Sequence, residues 1–102
     1  MPQVTVVYWR DMPAQVIAKS GRKQAKRQLS ERFEQAIDRA AMKSGAAGSD
    51  DYLADWRRGA PEDREGDDLE ALADAEAARL EAHFDKDRLR ALIDAHGRSD
   101  AT

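Results

Sequence analysis

Residues 3–9, Gln-Val-Thr-Val-Val-Tyr-Trp, are dense in β-branched and aromatic side chains, which predicts a strand. Arg10-Asp11-Met12-Pro13 predicts a turn, because Asp favours turns and Pro13 has no N–H to give a ladder. Residues 14–19 predict a second strand. With Trp9 opposite Ala14, such a hairpin puts Thr5, Val7, Trp9, Ala14, Val16 and Ala18 on one face. Val4, Val6, Tyr8, Gln15, Ile17 and Lys19 take the other. Both faces are largely apolar. An isolated two-stranded hairpin is only marginally stable, so one face should pack on helices. The second face, or the open strand edge, calls for a further strand, a second copy or another protein.

The pattern then changes period. Ala25, Leu29, Phe33, Ala36, Ile37 and Ala40 recur at three- and four-residue steps and predict a helix over 22–43. Ser20 is its expected N-cap and Gly45 its stop; Ser30-Glu31 offers a fresh cap and so a break near residue 29. Ser49-Asp50-Asp51 predicts a short helix running to Arg58, with Tyr52, Leu53 and Trp56 on one side. Gly59 to Gly66, containing Pro61, is a polar loop and the expected mobile segment. Asp67-Asp68 opens a third helix with the stripe Leu69, Leu72, Ala73, Ala77, Leu80 and Phe84. Asp85 caps a last short helix that buries Leu89, Leu92 and Ile93 and ends at Gly97. The expected fold is α+β and helix-dominated: an N-terminal β-hairpin packed against three to four α-helices. It forms a single small domain over 1–97, with a frayed tail at 98–102.

Composition sharpens this picture. At 102 residues there is room for one domain. Apolar residues are 41% and charged residues 36%, against a usual charged share of about a quarter. Much of the apolar share is alanine, so the core should be thin. There is no cysteine, which excludes disulfides, thiolate metal sites and thiol nucleophiles supplied by this chain. No apolar run approaches the roughly 20 residues of a membrane span. The N-terminus lacks the pattern of a signal peptide, and the expected location is cytoplasmic, with no membrane partner.

A net charge of −3 hides an asymmetry. Arg22, Lys23, Lys26, Arg27 and Arg32 crowd one segment, opposed only by Glu31. Residues 62–87 are dominated by Asp and Glu. The two segments can attract each other within the fold or face different partners. Cations in the first turn of a helix at 22–43 would oppose its dipole, which hints at an anion held there.

Little of the chain reads as catalytic. The two histidines, His83 and His96, fall on different expected helices with no metal-ligand spacing. Glu62, Asp63, Glu65, Asp67 and Asp68 do not follow a calcium-loop pattern and read as a solvated helix start. Gly21-Arg22-Lys23 matches no phosphate loop, and no serine lies in a nucleophile elbow. The candidate binding surface is the hairpin with its basic exit: Tyr8, Trp9, Arg10, Asp11, Gln15, Lys19, Arg22, Lys23, Lys26 and Arg27. Cations beside aromatic rings can grip phosphate and stack on a base. The same run can equally be a solvated face paired with the acidic third helix. Asp11 suits a turn cap. Arg10 suits stacking on Trp9 or pairing with an acid as well as it suits recognition.

Val4 to Lys19, together with Ala25-Lys26-Arg27-Gln28-Leu29-Ser30-Glu31-Arg32-Phe33 and Ala36-Ile37-Asp38, resembles a family of small bacterial "virulence factor" domains. The resemblance spans roughly residues 3–95, and its most specific part is Tyr8-Trp9-Arg10-Asp11 with Pro13, Ala14, Gln15 and Val16. Related segments occur in longer bacterial proteins beside a domain like the N-terminal part of an iron–sulfur scaffold. The resemblance therefore implies an accessory role near cofactor assembly or a cofactor enzyme, and it carries over no catalytic residue.

The resulting expectation is a non-catalytic accessory protein that docks a protein partner, or a second copy, through the hairpin and basic patch. No metal or cofactor is assigned. One alternative is a nucleic-acid-binding module using residues 19–32. Another is an enzyme or binder of a small anion at a corner formed by Arg10 and Arg22.

Overall fold

A computed structural model describes residues 2–46, 48 and 50–98. Ser49, expected to start the second helix, and residues 99–102 of the expected tail lie outside the described residues. Strands β1 (Gln3–Trp9) and β2 (Met12–Ser20) form the expected antiparallel hairpin. Its turn is only Arg10-Asp11, and Pro13 lies inside β2. Val7 pairs with Gln15, Tyr8 with Pro13 and Trp9 with Met12. Ala14 is therefore the extra residue of a β-bulge, the place where a strand tolerates a proline. Beyond the bulge Val4 faces Ala18 and Val6 faces Val16, so these four share the core side. The expected pairing of Trp9 with Ala14 is thus corrected. It is two residues out at the tip, where Trp9 meets Met12, and one residue out beyond the bulge, and it mixes the two faces. Thr5, Val7, Gln15, Ile17 and Lys19 occupy the other side.

The expected long helix at 22–43 is also corrected. Its first part is a strand, β3 (Lys23–Gln28), paired with β2 from Gln15↔Gln28 to Ser20↔Lys23. Gly21, with φ of 60°, makes the turn between them. Lys-Gln-Ala-Lys-Arg-Gln turns Ala25 and Arg27 inward and the residues between them outward, a period of two. Without it β2 would be an open edge, and tertiary pairing overrides the helix propensity of these residues. Helix α1 (Glu31–Ser44) begins after Ser30 and stops at Gly45, whose φ is 80°. Glu31 and Glu34 occupy its first turn, so the expected conflict of cations with the helix dipole does not arise.

The second helix is shorter than expected. Helix α2 covers Asp50–Ala54, and the chain then straightens into β4 (Trp56–Arg58), which pairs with β1 from Trp9↔Trp56 to Val7↔Arg58. A two-residue strand, β5 (Glu62–Asp63), pairs with the start of β1. The segment expected as a mobile loop is instead pinned along β1. Gly59 N–H donates to the Val6 carbonyl at 2.8 Å and Arg64 N–H to the Pro2 carbonyl at 2.9 Å. The sheet order is β3-β2-β1-β4, with β5 on the same edge of β1 as β4. The fold is α+β, but sheet and helices share the chain, so "helix-dominated" overstates it. Helices α3 (Leu69–His83) and α4 (Lys86–Asp94) are capped by the side chains of Asp68 and Asp85, which accept from Ala71 and Arg88 N–H.

Helix α3 packs across β1, β2 and β3 on the side of Val4, Val6, Val16, Ala18 and Ala25. Helices α1 and α4 pack on each other at the hairpin tip, where Phe33, Ile37, Leu89 and Leu92 join Trp9 and Met12. Trp9 and Met12 are both 0% exposed, and each such burial is worth about 1.5–3 kcal/mol.

Candidate functional site

The ten residues expected to form one surface separate into three places. At the hairpin tip Trp9 is wholly enclosed, and its indole N–H donates to the Tyr52 carbonyl at 2.9 Å. Arg10 has φ of 55°, uncommon for a residue with a Cβ. Its Nε donates to Asp55 Oδ2 at 2.9 Å, its Nη1 to the His96 carbonyl at 2.7 Å, and its guanidinium lies 4.6 Å from the Trp9 ring. Asp11 accepts from Arg57 Nη2 at 3.0 Å. The tip residues thus hold the hairpin to α2, β4 and the end of α4. Tyr8 faces away from the basic segment, beneath the guanidinium of Arg57 at 4.6 Å. Burial pushes its hydroxyl pKa upward, against the pull of Arg57.

Arg27 is the second place. It turns toward α3 and pairs with Glu70 and Asp74, which raise its pKa further. Arg32 similarly reaches Glu81 at 3.0 Å and the Phe84 carbonyl at 2.6 Å. The attraction between basic and acidic segments is met by these two arginines. The acids of α3 also take cations from outside the basic segment. Glu76, 6% exposed, meets Arg79 at 2.6 Å and Arg64 at 3.6 Å. Its hydrogen bonds with Arg79, aided by Arg64, hold its carboxyl below the ordinary range despite burial.

Gln15, Lys19 and Lys26 form the third place, with Arg22 and Lys23 beside them at the β2–β3 turn. The strand register puts Gln3, Lys19 and Gln24 in one row across the sheet, then Thr5, Ile17 and Lys26, then Val7, Gln15 and Gln28. Arg58 of β4 extends the last row beside Val7. The helices lie on the other side or at the tip. Lys19, Gln24, Lys26, Gln28 and Arg58 are accordingly exposed. Ile17 is 7% exposed yet stands outside the main core. Among the described residues, Lys19, Arg22, Lys23, Lys26 and Arg58 make no ion pair. The one acid in these rows is Asp63, at the corner beside Gln3.

Arg10 and Arg22 do not form a corner. They occupy opposite ends of β2, whose nine residues span about 30 Å. The small-anion site expected between them has no geometric basis. Arg58 was missed because residues 50–58 read as a helix. The alternation of Lys23–Gln28 was the signal that could have placed Lys26 on the sheet.

A family model described as "Virulence factor" matches residues 7–93. The chain belongs to the Virulence factor family. Comparison with curated proteins and with solved structures gives no match. In this member of the Virulence factor family, Trp9 and Arg10 of the tip signature are structural fastenings. No group of three or more His, Asp or Glu among the described residues is arranged to hold a metal ion. None of the described helices is long and apolar enough to cross a membrane.

Proposed function

We propose that this chain is a non-catalytic accessory module that docks an acidic protein surface on the open face of its sheet and along the edge of β3. The observation that carries this reading is that Lys19, Lys26 and Arg58, without an ion pair among the described residues, share a face that no described helix covers along their rows. Lysine on an edge strand also discourages sheets from pairing with one another, which accounts for Lys23 and Lys26. Arg58, on the opposite edge strand β4, can serve the same purpose, but Lys19 lies on interior β2 and is not accounted for. Solubility needs charges of mixed sign, whereas the strand rows of this face are positive except at the Asp63 corner, with Glu34 and Asp38 of α1 bordering them beside Gln28. Two copies meeting here would bring like charges together, so a different, acidic partner fits better than self-association. Gln and Thr side chains between the cations supply donors and acceptors, and half-buried Val7 supplies a small apolar contact.

Nucleic-acid binding fits less well. Its case joined the cations to Tyr8 and Trp9, but Trp9 is enclosed and Tyr8 lies on the opposite side of β1. The rows that carry Lys19 and Lys26 hold no ring on which a base could stack.

A photo-crosslinking residue placed at Gln24 in the native host tests the reading. The expected product is a discrete adduct with a protein bearing an acidic segment, lost in the triple variant Lys19→Glu, Lys26→Glu, Arg58→Glu. The resemblance to segments beside an iron–sulfur scaffold domain makes a cofactor-assembly protein the first partner to try. Salt-sensitive binding of RNA or DNA by the purified protein, with no protein adduct, would replace this reading with the nucleic-acid one.

A further inference from the structure

The hairpin tip, β4 and the last two helices line an open cleft of about 640 Å³ on the far side of the molecule from the open sheet face. That volume lies within the range of sites for small organic ligands, about 300–1,000 Å³. Two rings stand in its wall, Tyr8 from β1 and Phe84 from the end of α3, with Leu92 between the helices. Gly59 lets β4 run against Tyr8, because a Cβ there would fall 3.0 Å from the ring. Ala91 of helix α4 and Ala95 at its C-cap line the cleft, where larger residues would fill it.

The charges at this cleft are unequal. Arg57 and Asp11 neutralise each other at 3.0 Å. Arg98 touches Asp55 only at 4.0 Å, and Arg88 makes no ion pair among the described residues. His83, edge-on to Phe84 with ring centres 4.9 Å apart, adds a further donor. The cleft therefore combines an apolar floor, two aromatic walls and two arginine side chains without a full counter-charge. An arginine fork matches carboxylate and phosphate geometry.

We propose that this cleft binds a small organic anion: an aromatic or short apolar body lying against Tyr8, Phe84 and Leu92, with its phosphate, sulfonate or carboxylate held by Arg88 and Arg98. The site is separate from the docking face, so it stands or falls independently of that reading.

The probe is 8-anilinonaphthalene-1-sulfonate, an aryl sulfonate whose fluorescence rises in apolar surroundings. The folded protein is expected to bind one equivalent. Arg88→Ala should weaken it roughly tenfold, the scale of one charge-assisted contact. Ala95→Leu should abolish binding by filling the floor, at an exposed helix C-cap whose negative φ accepts leucine; circular dichroism confirms that each variant is folded. Lys26→Glu, on the docking face, should bind as the parent does. Naphthyl phosphate and naphthoate compete in parallel arms, and the tighter one distinguishes a phosphate from a carboxylate ligand. Naphthylmethanol and inorganic phosphate, each lacking one half of the chemistry, should compete at least tenfold more weakly than the better anion. No binding by the folded protein, binding indifferent to both Arg88→Ala and Ala95→Leu, or equal competition by the neutral alcohol would overturn the proposal.

Discussion

Arg10 shows how one residue can serve stability where recognition looked equally plausible. Its backbone sits at a positive φ, and three contacts hold it there: the Asp55 carbonyl to its N–H at 3.0 Å, the Asp55 carboxylate and the His96 carbonyl. Its side chain is 11% exposed and that of Asp55 25%, so the pair is shielded enough to matter. Arg10→Ala should destabilise the fold by about 2 kcal/mol in denaturant titration, because Asp55 and the His96 carbonyl both lose a donor. Arg10→Lys should recover less than half of that, since an ammonium cannot reproduce the guanidinium fork. Equal stability of Arg10→Ala and parent would remove the residue from the fastening. Glu76 provides the pH counterpart. Its folded pKa is lowered, chiefly by Arg79. The stability it adds is therefore present above the unfolded glutamate value of about 4.3 and lost as pH falls through the lower folded value. In Glu76→Gln that increment is absent. The stability gap between parent and variant should be constant near neutral pH and close on acidification. A gap unchanged down to pH 3 would contradict the lowered pKa.

At the scale of elements, β3 carries the main lesson. The chain shows β1, the caps at Asp68 and Asp85 and the stop at Gly45 plainly, because each depends on neighbours in sequence. It conceals β3, because Ala25 and Leu29 are four apart and match a helix stripe. In the structure Ala25 is buried by the sheet, whereas Leu29 follows the strand, its N–H donating to the Ala14 carbonyl at 3.0 Å. What decides between the two readings is the unpaired edge of β2, a non-local demand that no window of residues displays. The same blindness affected the docking face: Lys19 and Lys26 were legible as candidates, but that they share a face with Arg58 follows only from strand register. Amide exchange distinguishes strand from helix directly. On an edge strand only every second N–H points to a partner, so residues 23–28 should show alternating protection, against continuous protection through the interior of α1. Continuous protection from 22 to 43 would restore the helix. Deleting Ala14 provides a second test. It removes the bulge residue and forces Pro13, or everything after it, onto the wrong face, so loss of cooperative folding is expected.

For the molecule as a whole, the separation of structural from free cations is set by which side of one sheet a residue takes. Lys26 and Arg27 are adjacent in sequence and occupy opposite sides of β3. Arg27 meets Glu70 and Asp74 on α3, whereas Lys26 stands on the open face beside Ile17 without an acidic partner among the described residues. Their charge reversals should therefore have opposite consequences. Arg27→Glu sets three acids together at the junction of β3 and α3, so its unfolding midpoint should drop and drop further at low salt, where repulsion is least screened. Lys26→Glu breaks no ion pair within the fold and should leave stability within about 0.5 kcal/mol. In capture of the acidic partner the order reverses. Lys26→Glu should lose binding, and Arg27→Glu should retain it at temperatures where it is folded. If both variants lost binding in proportion to their loss of stability, the open face would have no role of its own. If only Arg27→Glu lost binding, the partner would dock on the α3 side.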